Sequence, residues 1–279
     1  MPQDLPDAAK YGTIQGLIQQ IRHNPTLPVI LTEGDSWFSF PLHSNTIDHL
    51  RRLGRFNVLR LEKSGDHLLR MLDDKPLRKL GKHLKRTYLR RGGKDYRAEA
   101  LLMSGGGNDL LSGDELVRYL RTNPNGSNPT DFLRVQRVRD KLRQLKIAYE
   151  ELCDVRDDYN PDCFIYAHGY DYAIPANRPI KILWGLKKIG PWMYKAMAGQ
   201  YDPTITVPPA HRAGVARWLV DEFNTTLASI NRQRFIHVKT PGTLAANQWS
   251  DEIHPKSMGF KAIARVFETA LRDQFPDYF

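Results

Sequence analysis

Residues 27–37, Leu27-Pro28-Val29-Ile30-Leu31-Thr32-Glu33-Gly34-Asp35-Ser36-Trp37, join a short, near-continuous apolar run to a tight polar turn. An apolar run of this length is what a parallel strand needs when helices cover both of its faces. Gly34 permits a sharp turn after it, and a serine in a strand-to-helix turn can expose its hydroxyl. Comparable runs stand at 56–61, 98–103, 162–167 and 234–238. Helical apolar spacing fills the intervals at 11–22, 47–53, 114–120, 132–152, 213–231 and 257–272, with Asp114 and Ser257 read as caps. Strands alternating with helices predict a three-layer α/β/α sandwich around a five-stranded, mostly parallel sheet with right-handed crossovers.

The 279 residues suit one large α/β domain over 1–279, and 41% hydrophobic against 26% charged residues excludes a disordered or fibrous chain. No stretch approaches the roughly 18 to 20 consecutive apolar residues of a membrane helix. Met1-Pro2-Gln3-Asp4 lacks a basic n-region and apolar h-region, so a cytoplasmic location is expected, with leaderless export left open. The two cysteines, Cys153 and Cys163, fit neither a disulfide framework nor zinc spacing and read as reduced packing residues. A net charge of +10 favours acidic partners such as anionic lipid, phosphate-bearing substrates or nucleic acid.

Ligands of an open parallel sheet bind beyond the carboxyl ends of its strands, so the residues following each run matter most. Gly34-Asp35-Ser36 follows the first; alone, it reads as an ordinary turn. Ser64-Gly65-Asp66 follows the second, where a glycine lets a backbone N–H approach an oxyanion and where Ser64 or Asp66 could instead cap a helix. Ser104-Gly105-Gly106-Gly107-Asn108-Asp109 follows the third; it lacks the lysine and the spacing of phosphate-cradling loops. Before the last helix stands Asp251-Glu252-Ile253-His254-Pro255. A carboxylate three residues before a histidine can hold its Nδ1–H and leave Nε2 to accept a proton; a surface loop with an incidental histidine is the alternative.

In combination and in this order, the four motifs resemble the SGNH, or GDSL-type, hydrolase superfamily over about residues 27–272. Trp37 stands where the family name has Leu, and segments 75–97 and 169–209 are extra to a minimal member. The resemblance implies a flavodoxin-like fold and a serine hydrolase that cleaves carboxylic esters through an acyl-enzyme on Ser36. It makes His254 the general base and acid and Asp251 its orienter, and it assigns the oxyanion hole to Ser36, Gly65 and Asn108. Neither cofactor nor metal is implied: no HExxH occurs, and the acidic stretch 154–162 lacks the glycine and terminal glutamate of a calcium loop.

An esterase or lysophospholipase acting on a small-molecule or lipid ester is the leading expectation. A carbohydrate O-acetyl esterase or acyltransferase, and a non-catalytic module that docks anionic partners, are the alternatives. Trp37, His168, Tyr170, Trp184 and Trp192 are the candidate substrate contacts, the last two within a possible lid at 169–209. Segment 75–97 holds ten Lys and Arg against one Asp, and the helical spacing of Leu77, Leu80, Leu84 and Tyr88 predicts a basic amphipathic helix over it. An anionic membrane surface is its next reading; sparse aromatic interleaving disfavours nucleic acid.

Overall fold

The computed structural model describes residues 11–182 and 187–279. The chain begins with helix α1 (Ile14–His23), capped by Thr13, whose hydroxyl accepts from the Gly16 N–H, and it buries Leu17 and Ile21. Strand β1 (Val29–Gly34), α2 (Thr46–Leu53), β2 (Asn57–Arg60), α3 (Leu68–Met71) and α4 (Asp74–Lys85) follow. A hairpin, β3 (Leu89–Arg91) and β4 (Lys94–Tyr96), leads to β5 (Ala100–Ser104), α5 (Gly107–Leu111), α6 (Gly113–Tyr119), α7 (Val135–Tyr159) and β6 (Phe164–His168). A second hairpin, β7 (Ile180–Ile182) and β8 (Lys187–Ile189), precedes α8 (Met193–Met197), α9 (Pro209–Ala228), β9 (Phe235–Val238) and α10 (Ser257–Arg272).

Five strands form one all-parallel sheet in the order β2-β1-β5-β6-β9. Side chains alternate across it, and the two helical layers take opposite faces. From β6, Phe164 meets Phe275 and His168 meets Phe267 of α10 on one face. From β9, Phe235 meets Tyr149 of α7 and His237 bonds Asn224 of α9 on the other. The expected architecture therefore holds, with each strand within three residues of its expected bounds at either end. Ser112, not Asp114, occupies the cap position of α6; α10 starts at Ser257 itself, whose hydroxyl meets His49 Nε2 at 3.0 Å.

The basic segment departs from expectation. Helix α4 ends at Lys85, and Gly92 (φ +57°) and Gly93 (φ +78°) turn the remaining residues back as the β3–β4 hairpin. Two successive left-handed residues are the conformation of a two-residue hairpin turn, which Gly-Gly adopts without a Cβ penalty. Leu80 and Leu84 are buried on α4 as expected; Tyr88 is buried too, but as the opening residue of the hairpin, its N–H donating to Tyr96 O at 2.8 Å.

Among the described residues the largest wholly buried side chain is that of an arginine. Arg156, near the end of α7, donates from Nη1 to Cys163 O at 2.7 Å and from Nη2 to Gln233 O at 2.6 Å, with Nε on Asp157. It satisfies carbonyls at the entrances of β6 and β9 that have no strand partner there. Arg156→Met should cost about 3 kcal/mol, because the carbonyls stay buried and lose their charged donor. Urea unfolding of the two proteins, with unchanged denaturant slope, checks this.

Candidate active site

All four sequence motifs converge at the carboxyl edge of the sheet. At the end of β1, Gly34 lies opposite Ser104 of β5, and a Cβ there would stand 2.5 Å from Ser104 O. Glycine is thus required by the close approach of two backbones. Beyond it, Phe38 N–H and Ser39 N–H donate to Asp35 O at 3.1 and 2.9 Å, one helical turn that presents Ser36 outward.

Opposite it, Asp251 Oδ1 accepts the N–H groups of Ile253 and His254 at 2.9 Å each, a turn that folds the carboxylate under the histidine ring. His254 Nδ1 lies 2.9 Å from Asp251 Oδ2, and Nε2 lies 2.8 Å from Ser36 Oγ. The ionised carboxylate accepts only, so the proton sits on Nδ1 and the Nε2 lone pair faces the serine hydroxyl. Ser36, Asp251 and His254 are all buried, which strengthens these interactions relative to water. The arrangement can draw a proton from Ser36 Oγ toward Nε2 and hold the imidazolium that results.

Asn108, in the first turn of α5, donates from Nδ2 to Asp66 O at 2.8 Å, which orients the amide and leaves its second N–H for a ligand. Gly65 has φ +83° with no atom within 4 Å of a Cβ position, so backbone conformation and not space demands glycine. Among the described residues neither Ser36 N–H nor Gly65 N–H donates to a protein group. Ser64 and Asp66 do not cap the helix that follows. Asp109 does, accepting Leu68 N–H at 2.7 Å and Leu69 N–H at 3.4 Å, and so ties the Gly65 loop to the Asn108 loop.

Below Ser36 lies a buried polar network. Asp35 Oδ1 accepts Trp37 N–H at 3.0 Å and Ser104 Oγ–H at 2.8 Å; Oδ2 accepts Tyr170 Oη–H at 2.6 Å. His168 Nε2 lies 2.9 Å from Ser104 Oγ, and His168 Nδ1 accepts Tyr170 N–H at 3.2 Å. With the Ser104 proton on Asp35, His168 is the neutral Nε2–H tautomer, and burial pushes its pKa down to about 3. Tyr170 takes a left-handed φ of +65° to place both its groups.

The substrate contacts expected from sequence therefore need correction. His168 has no exposed surface, because it is a strand-end residue turned into the core. Tyr170 aims its hydroxyl at Asp35 and not at solvent. Trp37 is 4% exposed, packed edge-on to Tyr170 with Nε1–H on Ile253 O at 3.0 Å, which ties the serine turn to the histidine loop. Trp37 and Tyr170 still wall a recess of about 20 Å³ beside Ser36 and Asn108, room for a water- or methyl-sized group. Trp192 is in the site: its ring meets His254 at 5.6 Å. Trp184 lies outside the described residues.

A cleft of about 670 Å³ opens over Ser36, Gly65, Asn108 and His254. Leu42, and Ile180, Ile189, Trp192 and Tyr201 from the 169–209 segment, line it. That segment is anchored by Glu252, a fully buried carboxylate that accepts Tyr194 N–H at 2.9 Å. Its position inside the Asp251–Pro255 motif was the available signal, and the anchoring had not been foreseen. Both cysteines are buried and free, their thiols pushed up to about 11 and about 12 by burial. Among the described residues no group of three or more His, Cys, Asp or Glu is arranged to hold a metal.

No protein-family model matches the sequence, and no curated protein matches it. Among solved structures, it is similar to the lipase Lip_vut3 from a goat rumen metagenome, with 12% identity, a TM-score of 0.51 and coverage of 87% of this chain and 97% of that one. It is also similar to a GDSL-like lipase from Bacteroides ovatus, with 13% identity, a TM-score of 0.50 and coverage of 91% of this chain and 55% of the other, about half that protein's length. At such identity the likeness is one of fold: the chain has the three-layer α/β/α fold of SGNH, or GDSL-type, hydrolases.

Tyr170→Phe should destabilise the protein by about 2 kcal/mol, since it removes one donor from a buried carboxylate while keeping the ring; thermal unfolding against wild type checks it. Burial raises Glu252 from 4.5 to about 7 and Glu33 from 4.5 to about 8. The folded state holds these protons more tightly than the unfolded chain. Their contribution is fully present below about pH 4.5 and is lost as pH rises through about 7 and about 8. Unfolding midpoints should therefore fall between pH 5 and pH 8.5, and Glu252→Gln should flatten that fall.

Proposed function

We propose that the protein is a serine hydrolase of carboxylic esters working through an acyl-enzyme on Ser36. The single observation that carries this is the continuous chain of Asp251 Oδ2, His254 and Ser36 Oγ, with 2.9 and 2.8 Å steps, at the floor of an open cleft. Ser36 Oγ attacks the ester carbonyl as its proton passes to His254 Nε2. The developing oxyanion is met by Ser36 N–H, Gly65 N–H and the free Asn108 amide N–H. His254 returns the proton to the leaving alcohol; water, deprotonated by the same Nε2, then attacks the acyl-enzyme, and as the acyl–Oγ bond breaks that proton passes from Nε2 to Ser36 Oγ, releasing the carboxylic acid and restoring the serine.

The methyl-sized recess beside Ser36 favours a short acyl group. A second reading, a long acyl chain as in a lysophospholipid, is favoured by the apolar walls of the cleft, where Leu42, Ile189 and Tyr201 keep 47%, 39% and 49% of their surface exposed. A series of 4-nitrophenyl esters from acetate to dodecanoate separates the two: kcat/KM should fall with chain length. A rise toward long chains would establish the second reading.

A fluorophosphonate should add once to wild type and not to Ser36→Ala by intact mass. Ser36→Ala should lose turnover by on the order of 10⁶-fold and Asn108→Ala by about 10²- to 10³-fold, with Asp251→Asn less impaired than Ser36→Ala. Equal ester turnover by Ser36→Ala and wild type would refute the mechanism, and a protein unlabelled by the probe would favour a non-catalytic module.

A further inference from the structure

Next to the catalytic cleft lies a second one, of about 720 Å³, between the loop after β2 and helix α4. Lys63, Arg70, Lys75, Arg78, Lys79 and Lys82 line it. Arg70 lines both clefts, and the loop over 63–67 contributes Lys63 and Asp66 to this one and Ser64, Gly65 and His67 to the other, so the two are neighbours across that loop.

The charge of this cleft is unusually free. Among the described residues, Arg70, Lys75, Arg78, Lys79 and Lys82 make no ion pair with a carboxylate, whereas Lys141, Arg143 and Lys146 on α7 are each paired. On α4, Lys75 and Lys79 stand four residues apart, as do Arg78 and Lys82, spacings at which like charges repel and destabilise a helix. Two carboxylates share the cleft. Asp66 lies 3.9 Å from Lys63, and the half-buried Glu33 accepts Gly34 N–H and is pushed up to about 8 by burial. His83, also in the lining, is held below its usual pKa by burial and by neighbouring Lys79 and Arg86. The remaining field is positive, and Asp73 and Asp74 at the start of α4 are not part of the lining.

We infer that this cleft takes the anionic end of the ester substrate, a phosphate carried on its alcohol portion, while the ester itself lies at Ser36. This inference rests on the hydrolase reading above and adds the substrate's charge class to it. Arginine forks and lysine ammonium groups converging on one cleft match phosphate oxygens, and the positive field raises the local concentration of such a substrate. The spread of cations from Lys75 to Lys82 covers about 10 Å of helix, the scale of a small molecule and not of a duplex or a bilayer patch.

The test compares 4-acetoxyphenyl phosphate with neutral 4-methylphenyl acetate, with acid release followed by pH-stat. The phosphate ester should be favoured in kcat/KM by about tenfold or more at low salt, chiefly through KM. That preference should shrink toward one in the combined Arg78→Gln, Lys79→Gln, Lys82→Gln variant. It should shrink likewise in wild type at 1 M NaCl, where the screening length drops to about 3 Å. Separately, Ser36→Ala should bind phenyl phosphate by calorimetry, and adding the three glutamine substitutions should abolish the heat. Hydrolysis of both esters with no preference, and no binding of phenyl phosphate, would overturn the inference while leaving the hydrolase reading intact. Binding to anionic phosphatidylserine vesicles or to an oligonucleotide, without binding of phenyl phosphate, would also overturn it in favour of a macromolecular dock. If neither ester is cleaved but phenyl phosphate still binds, the hydrolase reading fails, and with it the assignment of the anion to a substrate.

Discussion

A carboxylate without solvent, adjacent to Ser36 in the turn after β1, is the constraint on which the rest of the site depends. Asp35 can be buried there only because the Trp37 N–H, the Ser104 hydroxyl and the Tyr170 hydroxyl converge on it. Each donor comes from a different part of the chain: the serine turn itself, the end of β5 and the segment after β6. Satisfying one charge therefore locks three strand ends into a single register. Desolvation raises the Asp35 pKa and these donors oppose it, so the group is held by a balance that loss of any donor disturbs.

A second layer of polar ties works in the same way around the site. Asp109 holds the Gly65 loop against the Asn108 loop, and Asp251 folds the His254 loop onto itself. The Trp37 indole bridges the serine turn to that loop through Ile253 O. Glu252 then carries the 169–209 segment, so the wall facing the cleft is fastened to the residue between the two members of the Asp251–His254 pair. Movement of that wall would be felt at the histidine through backbone, and Trp192 against the His254 ring adds a direct contact.

Much of this was legible in sequence because it depends on local periodicity and on short motifs. The five apolar runs each needed two covered faces, and every motif followed a run or preceded the last helix. The basic segment was misread in part: its leucine spacing is helical through Leu84, but Gly92-Gly93 is a hairpin signal that outweighed the continuation of the pattern to Tyr88. His168 and Tyr170 were placed at the right edge of the sheet but pointed the wrong way, since nothing local distinguishes a strand-end histidine facing a cleft from one facing Ser104. Arg156 was invisible for the same reason, its acceptors lying 7 and 77 residues away along the chain.

The amino-acid sequence by itself determined the alternation of strands and helices, the order of the four motifs and the residue types able to move a proton from serine to histidine. Those features follow from side-chain periodicity and from chemistry carried within a few residues. Only the tertiary structure decided that Ser36 and His254, 218 positions apart, meet at 2.8 Å. It alone turned His168 and Tyr170 inward and set Arg70 in the lining of both the α4 cleft and the cleft over Ser36. Burial and long-range donor–acceptor matching are properties of the assembled layers, and no stretch of chain carries them alone.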